Sequence, residues 1–212
     1  LSSVGDQAVG AVGTANTYIG VFIIMFGVIS SGMVAVMSQN IGAGRPGIAY
    51  QARQLGLLFN ASTGILMSVI LAVFSGRILK IVSIAPALLE PAETYLKIVG
   101  GACFLNALIP IFSSYLRVFG YTKHSLIGTI VGNAVNIIFN SVFLFVFKWG
   151  VMGVAVATVI SKVVNLIIVA AMGAVLIKAK QSPERIQPRK ILAQIVKIGC
   201  LLYTSPSPRD GA

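Results

Sequence analysis

The chain has 212 residues, of which 57% are hydrophobic and only 10% are charged, with a mean hydropathy of +0.93. A soluble domain usually carries about 25% charged residues, so this composition excludes an ordinary water-facing surface. The formal net charge of +11 would point to nucleic acid in a soluble protein, but here we expect membrane lipid as the partner and no nucleic acid.

Long stretches without charge divide the chain into apolar segments. A membrane-spanning helix needs about 20 mostly apolar residues, and each stretch is long enough to hold one. The apolar runs lack the strict two-residue alternation of a β-barrel, so the sequence predicts an all-α polytopic membrane protein. We place five spans, near residues 12 to 38, 54 to 76, 93 to 116, 125 to 147 and 152 to 177.

The connections between these spans differ in charge. With the loop at 39 to 53 in the cytoplasm, ten basic residues lie on the inner side: Arg45, Arg53, Arg117, Lys123, Lys178, Lys180, Arg185, Arg189, Lys190 and Lys197. The outer side has Arg77, Lys80 and Lys148, together with the acids Asp6, Glu90 and Glu93. The excess of Lys and Arg predicts this orientation, with the start of the chain outside the cell.

Neither the glycine-rich loop nor the single histidine indicates an enzyme. The segment GAGRPG at 42 to 47 matches the GxGxxG spacing of dinucleotide sites, but it follows a membrane span, and residues 60 to 70 contain no acid. Its glycines and proline instead predict a tight cytoplasmic turn. His124 has no Asp, Glu or Cys at the spacing of a triad or metal site, so we expect no catalytic residue.

Prolines predict two features of the third span. Pro91, flanked by Glu90 and Glu93, predicts a helix N-terminus, because proline fits the first helical position and acids favour the first turn. Pro110 predicts a kink within the span, because proline removes a backbone hydrogen bond.

Three amides form a stripe on the fourth span. Asn133, Asn136 and Asn140 stand at i, i+3 and i+7, which places them on one helix face. Amides are costly in lipid, so these side chains must face protein or water. They either join helices by hydrogen bonds or line a hydrophilic cavity for a substrate or ion, and the sequence leaves both open. Gly128 and Gly132 form a GxxxG motif that predicts close approach of a neighbouring helix.

Lys162 stands near the middle of the last span, where a charged residue is a candidate for function. Its long side chain either reaches the membrane interface or faces a cavity, and we predict the cavity. Asn16 and Asn106 complete the predicted cavity residues, while Asn60 and Asn165 are further polar positions within the spans.

The last part of the chain has a different composition. Residues 200 to 210 read CLLYTSPSPRD, which resembles the translation of eleven consecutive codons of a transposon-end sequencing adapter. The alternative is an ordinary Ser/Pro-rich tail. We therefore expect membrane helices at 1 to 180, a cytoplasmic linker with the start of another helix at 181 to 199, and a segment that is not native at 200 to 212.

Five segments resemble the multidrug and toxic compound extrusion (MATE) family. Their order matches the second to sixth helices of that family, so the resemblance covers nearly all of residues 1 to 199. The segments are GDQAVGAVGTAN at 5 to 16, SQNIGAGRPGIAYQAR at 38 to 53, YLRVFGYTKHSL at 115 to 126, GNAVNIIFN at 132 to 140 and WGVMGVAVATVISK at 149 to 162.

The resemblance implies a transporter of twelve helices in two lobes, of which this chain would supply five helices of the N-terminal lobe. It implies export of organic cations or amphipathic compounds in exchange for Na⁺ or H⁺, without another cofactor. We expect this protein in the inner (plasma) membrane of a bacterium, with the C-terminal lobe of the same protein, missing here, as its partner.

The resemblance also implies a site on the fifth helix of the family. Many members place Asn there and, four residues later, an acid that faces the cavity of the N-terminal lobe. Asn136 matches the first position, but the second is Asn140. An amide cannot carry a proton, and it binds Na⁺ only through its neutral oxygen, so a Na⁺ site near Asn136 and Asn140 stays possible and the coupling ion stays open. The resemblance places the family's other carboxylate of the N-terminal lobe on its first helix, which this chain lacks.

Two other functions stay open from the sequence. A flippase of the same superfamily, for lipid-linked oligosaccharides or polysaccharide precursors, needs several cationic groups in its cavity to hold phosphates, and Lys162 is the one predicted there. A non-transporting membrane scaffold would use the amides only to join helices.

Overall fold

The computed structural model describes residues 6–81, 84–177 and 187–204. Within these ranges the chain is helical apart from short connections and contains no strand, which confirms the predicted all-α class. The α-helices are α1 (Asp6–Gly42), α2 (Pro46–Ile81), α3 (Pro86–Tyr95), α4 (Cys103–Val118), α5 (Thr122–Ser141), α6 (Gly150–Leu176) and α7 (Pro188–Thr204). Two π-helical turns, Leu96–Gly100 and Val142–Val146, follow α3 and α5.

Four segments of the described chain are long and apolar enough to cross a membrane singly: α1, α2, α5 with its π-helical turn, and α6. The pair α3 and α4 makes a fifth crossing, bent by 43°, so the structure agrees with five predicted spans. Large apolar side chains are exposed on these helices, including Val21, Leu58, Val73, Ile137, Val146, Ile167 and Val175. An apolar surface of this extent suits lipid and not water.

The third span bends at Gly100 and Gly101, whereas the sequence predicted a kink at Pro110. A π-helical turn ends at Gly100, and Ala102 departs from helical geometry with φ −99° and ψ 19°. Glycines beside a π-helical turn break the regular ladder of backbone hydrogen bonds, which allows the helix to bend. Pro110 instead lies inside α4, which continues to Val118.

Ser68 of α2 supports this bend. Its hydroxyl oxygen accepts a hydrogen bond from the backbone N–H of Phe104 at 2.8 Å. That N–H lies in the first turn of α4, where helix geometry provides no backbone partner. The side chain of Ser68 is buried, so the bond satisfies a donor that water does not reach.

The predicted helix N-terminus at Pro91 is wrong by five residues. α3 begins at Pro86, which takes the first helical position, and Pro91 lies within the helix. Glu93 is therefore not in the first turn, and its carboxylate forms a salt bridge with Lys97 at 2.8 Å on the helix surface. Either proline fits the rule for N-termini, and the sequence gives no reason to prefer the earlier one.

A tight turn joins α1 to α2, as the glycine-rich loop predicted. Gly44 adopts a positive φ of 72°, and its N–H donates to the carbonyl of Ile41 at 3.0 Å. The N–H of Arg45 donates to the carbonyl of Asn40 at 2.8 Å. Pro46 then opens α2. This geometry is typical of a helix C-terminus closed by glycine, and it confirms the predicted tight turn.

Asn60 joins three helices at the centre of the bundle. It is fully buried on α2, and its Nδ2 donates to the carbonyl of Ala107 on α4 at 3.1 Å and to that of Phe26 on α1 at 3.3 Å. These bonds use the donors of the amide, while its Oδ1 is buried without a hydrogen-bond partner. Asn60 therefore connects α1, α2 and α4 through its Nδ2.

α7 packs along α1 through two glycines. A side chain at Gly32 would collide with the backbone carbonyl of Ile195, and one at Gly199 with that of Val28. The two helix backbones therefore approach as closely as glycine permits. α7 continues to Thr204, inside the segment at 200 to 212 that we expect not to be native, and residues 205 to 212 lie outside the described residues.

Aromatic rings pack together where α5 ends and α6 begins, on the side predicted to be outside the cell. Phe143, in the π-helical turn after α5, stacks on Trp149 with ring centroids 5.0 Å apart and planes inclined by 15°. The backbone N–H of Trp149 donates to the carbonyl of Phe143 at 2.9 Å. Lys148 and Gly150 have positive φ values of 55° and 57°, which turn the chain sharply into α6.

Candidate cavity in the membrane-spanning region

A polar cavity of about 370 Å³ lies between α4, α5 and α6, with Ile23 of α1 at its side. The polar groups among its lining residues are Asn106, Asn133, Asn136, Thr158, Ser161, Lys162 and Asn165. Asn136 and Lys162 are near the middle of their membrane-spanning segments, so the cavity lies within the predicted depth of the bilayer.

The glycines of α5 bring its amide-bearing face close to α6. A Cβ added at Gly128 would lie 2.6 Å from Cγ1 of Val169, and one at Gly132 would lie 3.1 Å from Cβ of Asn165. The first distance is too short for a methyl group unless Val169 moves, and the second requires Asn165 to move by a few tenths of an ångström. The close approach that the GxxxG motif predicted is therefore present, and it holds Asn165 and Ser161 against α5.

A chain of hydrogen bonds connects α5 with α6 at the cavity wall. Nδ2 of Asn140 donates to Oδ1 of Asn136 at 3.0 Å, and Nδ2 of Asn136 donates to Oγ of Ser161 at 3.4 Å. The Ser161 hydroxyl in turn donates to the carbonyl of Thr158 at 2.8 Å. In this order Asn136 uses one lone pair of its Oδ1 to accept from Asn140 and one N–H to donate to Ser161.

Lys162 supplies the charge of the cavity. It is half-buried on α6, and among the described residues that line the cavity it alone has an ionisable side chain. No carboxylate occurs in this lining. A charge at this depth is costly unless water or polar groups surround it, and the neighbouring amides provide those groups.

Comparison with known proteins identifies the class of molecule that contains this cavity. A family model described as MatE matches residues 1–142. A curated relative, the uncharacterized transporter YisQ of Bacillus subtilis, is 31% identical over 205 residues, which cover 94% of this chain and 45% of the relative. The chain belongs to the MATE family.

Solved MATE structures share the fold described above. A MATE transporter in the bent conformation matches with a TM-score of 0.84 at 20% identity, over 94% of this chain and 45% of that one. An inward-facing multidrug resistance MATE transporter matches with a TM-score of 0.77 at 20% identity, over 92% and 44%. The chain thus spans less than half the length of these relatives. MATE proteins are transporters and not enzymes.

Four of the six predicted cavity residues meet in this MATE lobe: Asn106, Asn133, Asn136 and Lys162. Asn140 is outside the lining but is joined to it by its hydrogen bond to Asn136. Asn16 is not brought to the cavity. It is exposed on α1, and its Oδ1 accepts a hydrogen bond from the hydroxyl of Tyr95 at 3.2 Å.

Sequence reasoning missed the part of the cavity that α6 provides. Thr158, Ser161 and Asn165 line it together with Lys162, although only Lys162 was predicted. The signal was present, because these four positions stand at i, i+3, i+4 and i+7 and therefore share a helix face. Small hydroxyl residues in an apolar helix form backbone hydrogen bonds so readily that they did not indicate a cavity by themselves.

The described residues give limited support for a bound metal ion. They contain no group of three or more His, Cys, Asp or Glu that could hold one. Oδ1 of Asn140 is buried without a hydrogen-bond partner, which leaves one neutral oxygen free for Na⁺ near the predicted position. Hard cations are held by several oxygens, and Oδ1 of Asn136 already accepts a hydrogen bond from Asn140.

A second cavity, of about 650 Å³, lies between α1 and α4. Its lining contains Ser30, Ser31, Ser38, Ser114 and Arg117, and also Leu202. Leu202 belongs to the segment at 200 to 212 that we expect not to be native, so the native protein would have a different residue in this part of the wall. The cavity around Lys162 has no residue from that segment.

Proposed function

We infer that the transporter to which this lobe belongs is a secondary active antiporter that exports cationic or amphipathic organic compounds in exchange for Na⁺ or H⁺. The observation that carries this proposal is the cavity lined by amides, hydroxyls and Lys162 at the middle of the membrane-spanning helices. Polar groups at this depth are expensive in lipid and are typical of a substrate or ion pathway.

A complete transporter needs more than the helices described here. Alternating access is the movement of one repeat against another around a shared site. This chain covers 45% of its Bacillus relative, a length that suits one lobe. We therefore propose that a C-terminal lobe completes the site, and that residues 1 to 199 by themselves export nothing.

The second candidate is a flippase for lipid-linked sugars or polysaccharide precursors. Lys162 favours it, because a cationic group holds phosphate and repels organic cations. A pyrophosphate-linked lipid carries several negative charges, however, and the described lining has one basic side chain. We rank the antiporter first for this reason.

The third candidate is a scaffold in which the amides only join helices. Two hydrogen bonds are the observations in its favour: Asn140 donates to Asn136, and Asn136 donates to Ser161. It does not account for Lys162 or for a cavity that α4, α5 and α6 leave between them. Amides that only join helices need no empty space beside them, and Asn60 joins three helices without lining the cavity around Lys162.

Transport by the full-length protein in proteoliposomes tests the proposal. A fluorescent cation such as ethidium is loaded, and an inwardly directed gradient of Na⁺ or of H⁺ is imposed in separate experiments. We expect one of the two gradients to drive ethidium uphill, and the fragment of residues 1 to 199 to give no transport. Absence of gradient-driven ethidium movement, with transfer of a fluorescent lipid-linked sugar between leaflets, would favour the flippase instead.

A further inference from the structure

Arg53 lies among aromatic rings near the end of α2 that is predicted to be cytoplasmic. Its guanidinium carbon is 4.4 Å from the ring centre of Tyr115, 5.5 Å from that of Phe112 and 5.7 Å from that of Tyr50. Tyr115 is buried and Phe112 is half-buried on α4, so two helices provide the rings. The rings attract the positive charge and fix its place, but they do not neutralise it.

The hydrogen-bond donors of this guanidinium have no acceptor among the described residues. Arg53 is half-buried, and its Nε is buried without a hydrogen-bond partner. Within the described ranges the guanidinium makes its three ring contacts and no hydrogen bond or ion pair. Leaving a partly buried charged group unpaired is costly, so an acceptor from outside these residues is favoured.

The position of Arg53 along α2 matches the level of lipid headgroups. Residues 54 to 76 contain no charged residue, and Arg77 follows them on the same helix. At a rise of about 1.5 Å per residue, Arg53 and Arg77 are about 36 Å apart along the helix axis. The hydrocarbon of a bilayer is about 30 Å thick, and the headgroups bring the total to about 40 to 45 Å. Both arginines therefore fall at the level of the headgroups, one in each leaflet.

The chemistry at this level selects a phosphate group as the acceptor. A guanidinium is planar and can give two parallel N–H···O bonds to one phosphate, and such charge-assisted bonds are strong where water is partly excluded. Further basic residues near the surface attract anionic lipids to the same leaflet. Three are exposed at the helix ends on the predicted cytoplasmic side: Arg45, Arg117 and Lys123.

We propose that Arg53, held between the rings of Tyr50, Phe112 and Tyr115, binds the phosphate of an anionic phospholipid in the cytoplasmic leaflet. A headgroup bound there contacts α2 through the guanidinium and lies beside the rings of α4, so it connects the two helices. A ligand that binds the folded protein alone stabilises it against unfolding. This site is separate from the cavity around Lys162 and holds for an antiporter, a flippase or a scaffold alike.

Arg77 provides a matched control on the same helix. It is exposed, and its guanidinium carbon is 5.6 Å from the ring centre of Phe74, one turn earlier on α2. It therefore has the same side chain and a ring contact at a similar depth in the opposite leaflet. It differs from Arg53 because a second helix gives it no ring contact in the described structure. A loss of its charge tests general attraction to lipid without the built site.

Native mass spectrometry of the full-length protein in detergent tests the site. The wild type should bind phosphatidylglycerol, which is anionic, more tightly than phosphatidylcholine, which is zwitterionic. Arg53→Gln should weaken the tightest binding of phosphatidylglycerol about tenfold, since it removes hydrogen bonds to a charged group. Arg53→Lys, which keeps the charge but not the planar set of donors, should weaken it less. Arg77→Gln should bind as the wild type does.

A measurement on the wild type avoids dependence on variants that fail to fold. The midpoint of thermal unfolding in detergent is followed while phosphatidylglycerol, phosphatidylcholine or inorganic phosphate is added. We expect phosphatidylglycerol to raise the midpoint most, and high salt to reduce its advantage over phosphatidylcholine, because salt screens the ion pair. Inorganic phosphate should leave the midpoint unchanged, because it has no acyl chains to contact the apolar surface of the helices.

Four outcomes would overturn the proposal. Equal binding of phosphatidylglycerol by folded Arg53→Gln and the wild type would mean that the guanidinium serves contacts within the full-length protein. An equal loss of binding in Arg77→Gln would reduce the effect to general attraction between charges. A rise of the midpoint with inorganic phosphate as large as with phosphatidylglycerol would make this a site for a free anion. Equal effects of the two lipids on the wild type would remove the selection for negative charge.

Discussion

Asn140 donates its Nδ2 hydrogen to Oδ1 of Asn136 over 3.0 Å, so the two amides at the signature positions of the fifth MATE helix are partners of each other. Oδ1 of Asn140 remains buried without a partner. The pair is uncharged, and it gives this lobe a signature helix that neither attracts a cation nor holds a proton. This difference leads to the first of four predictions.

Asn140→Asp should strengthen the binding of cationic substrates to the full-length transporter. An ionised carboxylate about 8 Å from a bound cation adds attraction of about 2 kcal/mol at an effective dielectric constant near 20, so the KM for ethidium should fall about 30-fold. Concentration dependence of ethidium transport measures this change. Asn140→Leu, which removes the amide without adding charge, is the control, and an equal KM for the Asp and Leu variants would contradict the prediction.

Asn136→Leu should abolish transport and leave folding largely intact. The substitution removes the amide that lines the cavity and donates to Ser161, whereas bonds of this kind between membrane helices contribute only about 0.6 kcal/mol each. Ethidium efflux and the midpoint of thermal unfolding in detergent are measured on the same preparation. If efflux stays normal in whatever protein folds, the scaffold function is supported instead.

Asn60→Leu should have the opposite effect. Asn60 is fully buried and donates to the carbonyls of Ala107 and Phe26. The substitution therefore removes hydrogen bonds that connect three helices. We expect the free energy of unfolding to fall by about 1 to 2 kcal/mol. Transport per folded molecule should remain, because Asn60 does not line the cavity. Unfolding curves of the two leucine variants, run side by side, provide the comparison.

Gly128→Ala should destabilise the contact between α5 and α6. The added methyl group would lie 2.6 Å from Cγ1 of Val169 and 2.9 Å from Oδ1 of Asn165, and overpacking of this kind costs about 1 to 3 kcal/mol. Gly20→Ala is the matched control, because no described atom lies within 4 Å of its Cβ position. Adding Val169→Ala to the Gly128→Ala variant should restore part of the stability. The midpoint of thermal unfolding is measured for the Gly128→Ala variant, the Gly20→Ala control and the double variant.

The type and number of helices could be predicted from the sequence because charged residues and prolines are unfavourable inside a membrane-spanning helix. Lys and Arg are costly in the hydrocarbon, so the stretches poor in charge lie within α1, α2, α5 and α6, and Lys162 of α6 is the exception. The stripe of Asn133 and Asn136 followed from helical spacing alone. Such a pattern depends only on the spacing of residues within one helix, so it can be predicted without knowledge of the neighbouring helices.

Features that depend on neighbouring helices could not be predicted. The bend at Gly100 and Gly101 depends on Ser68 of α2, which accepts the N–H of Phe104 across the interface. No property of Pro110 reveals this contact. Asn60 and Asn136 look alike in sequence, and only the carbonyl of Ala107 opposite Asn60 makes one a structural residue and the other a cavity residue.

The stack of Phe143 on Trp149 gives this chain a built-in optical reporter. The chain contains a single tryptophan, and its ring contacts the π-helical turn that ends α5, beside the sharp turn into α6. A shift of α5 relative to α6 would separate the rings and alter the indole emission without any attached dye. Opening and closing of the outer end of this lobe can thus be followed in real time, provided that tryptophans elsewhere in the full-length protein are replaced.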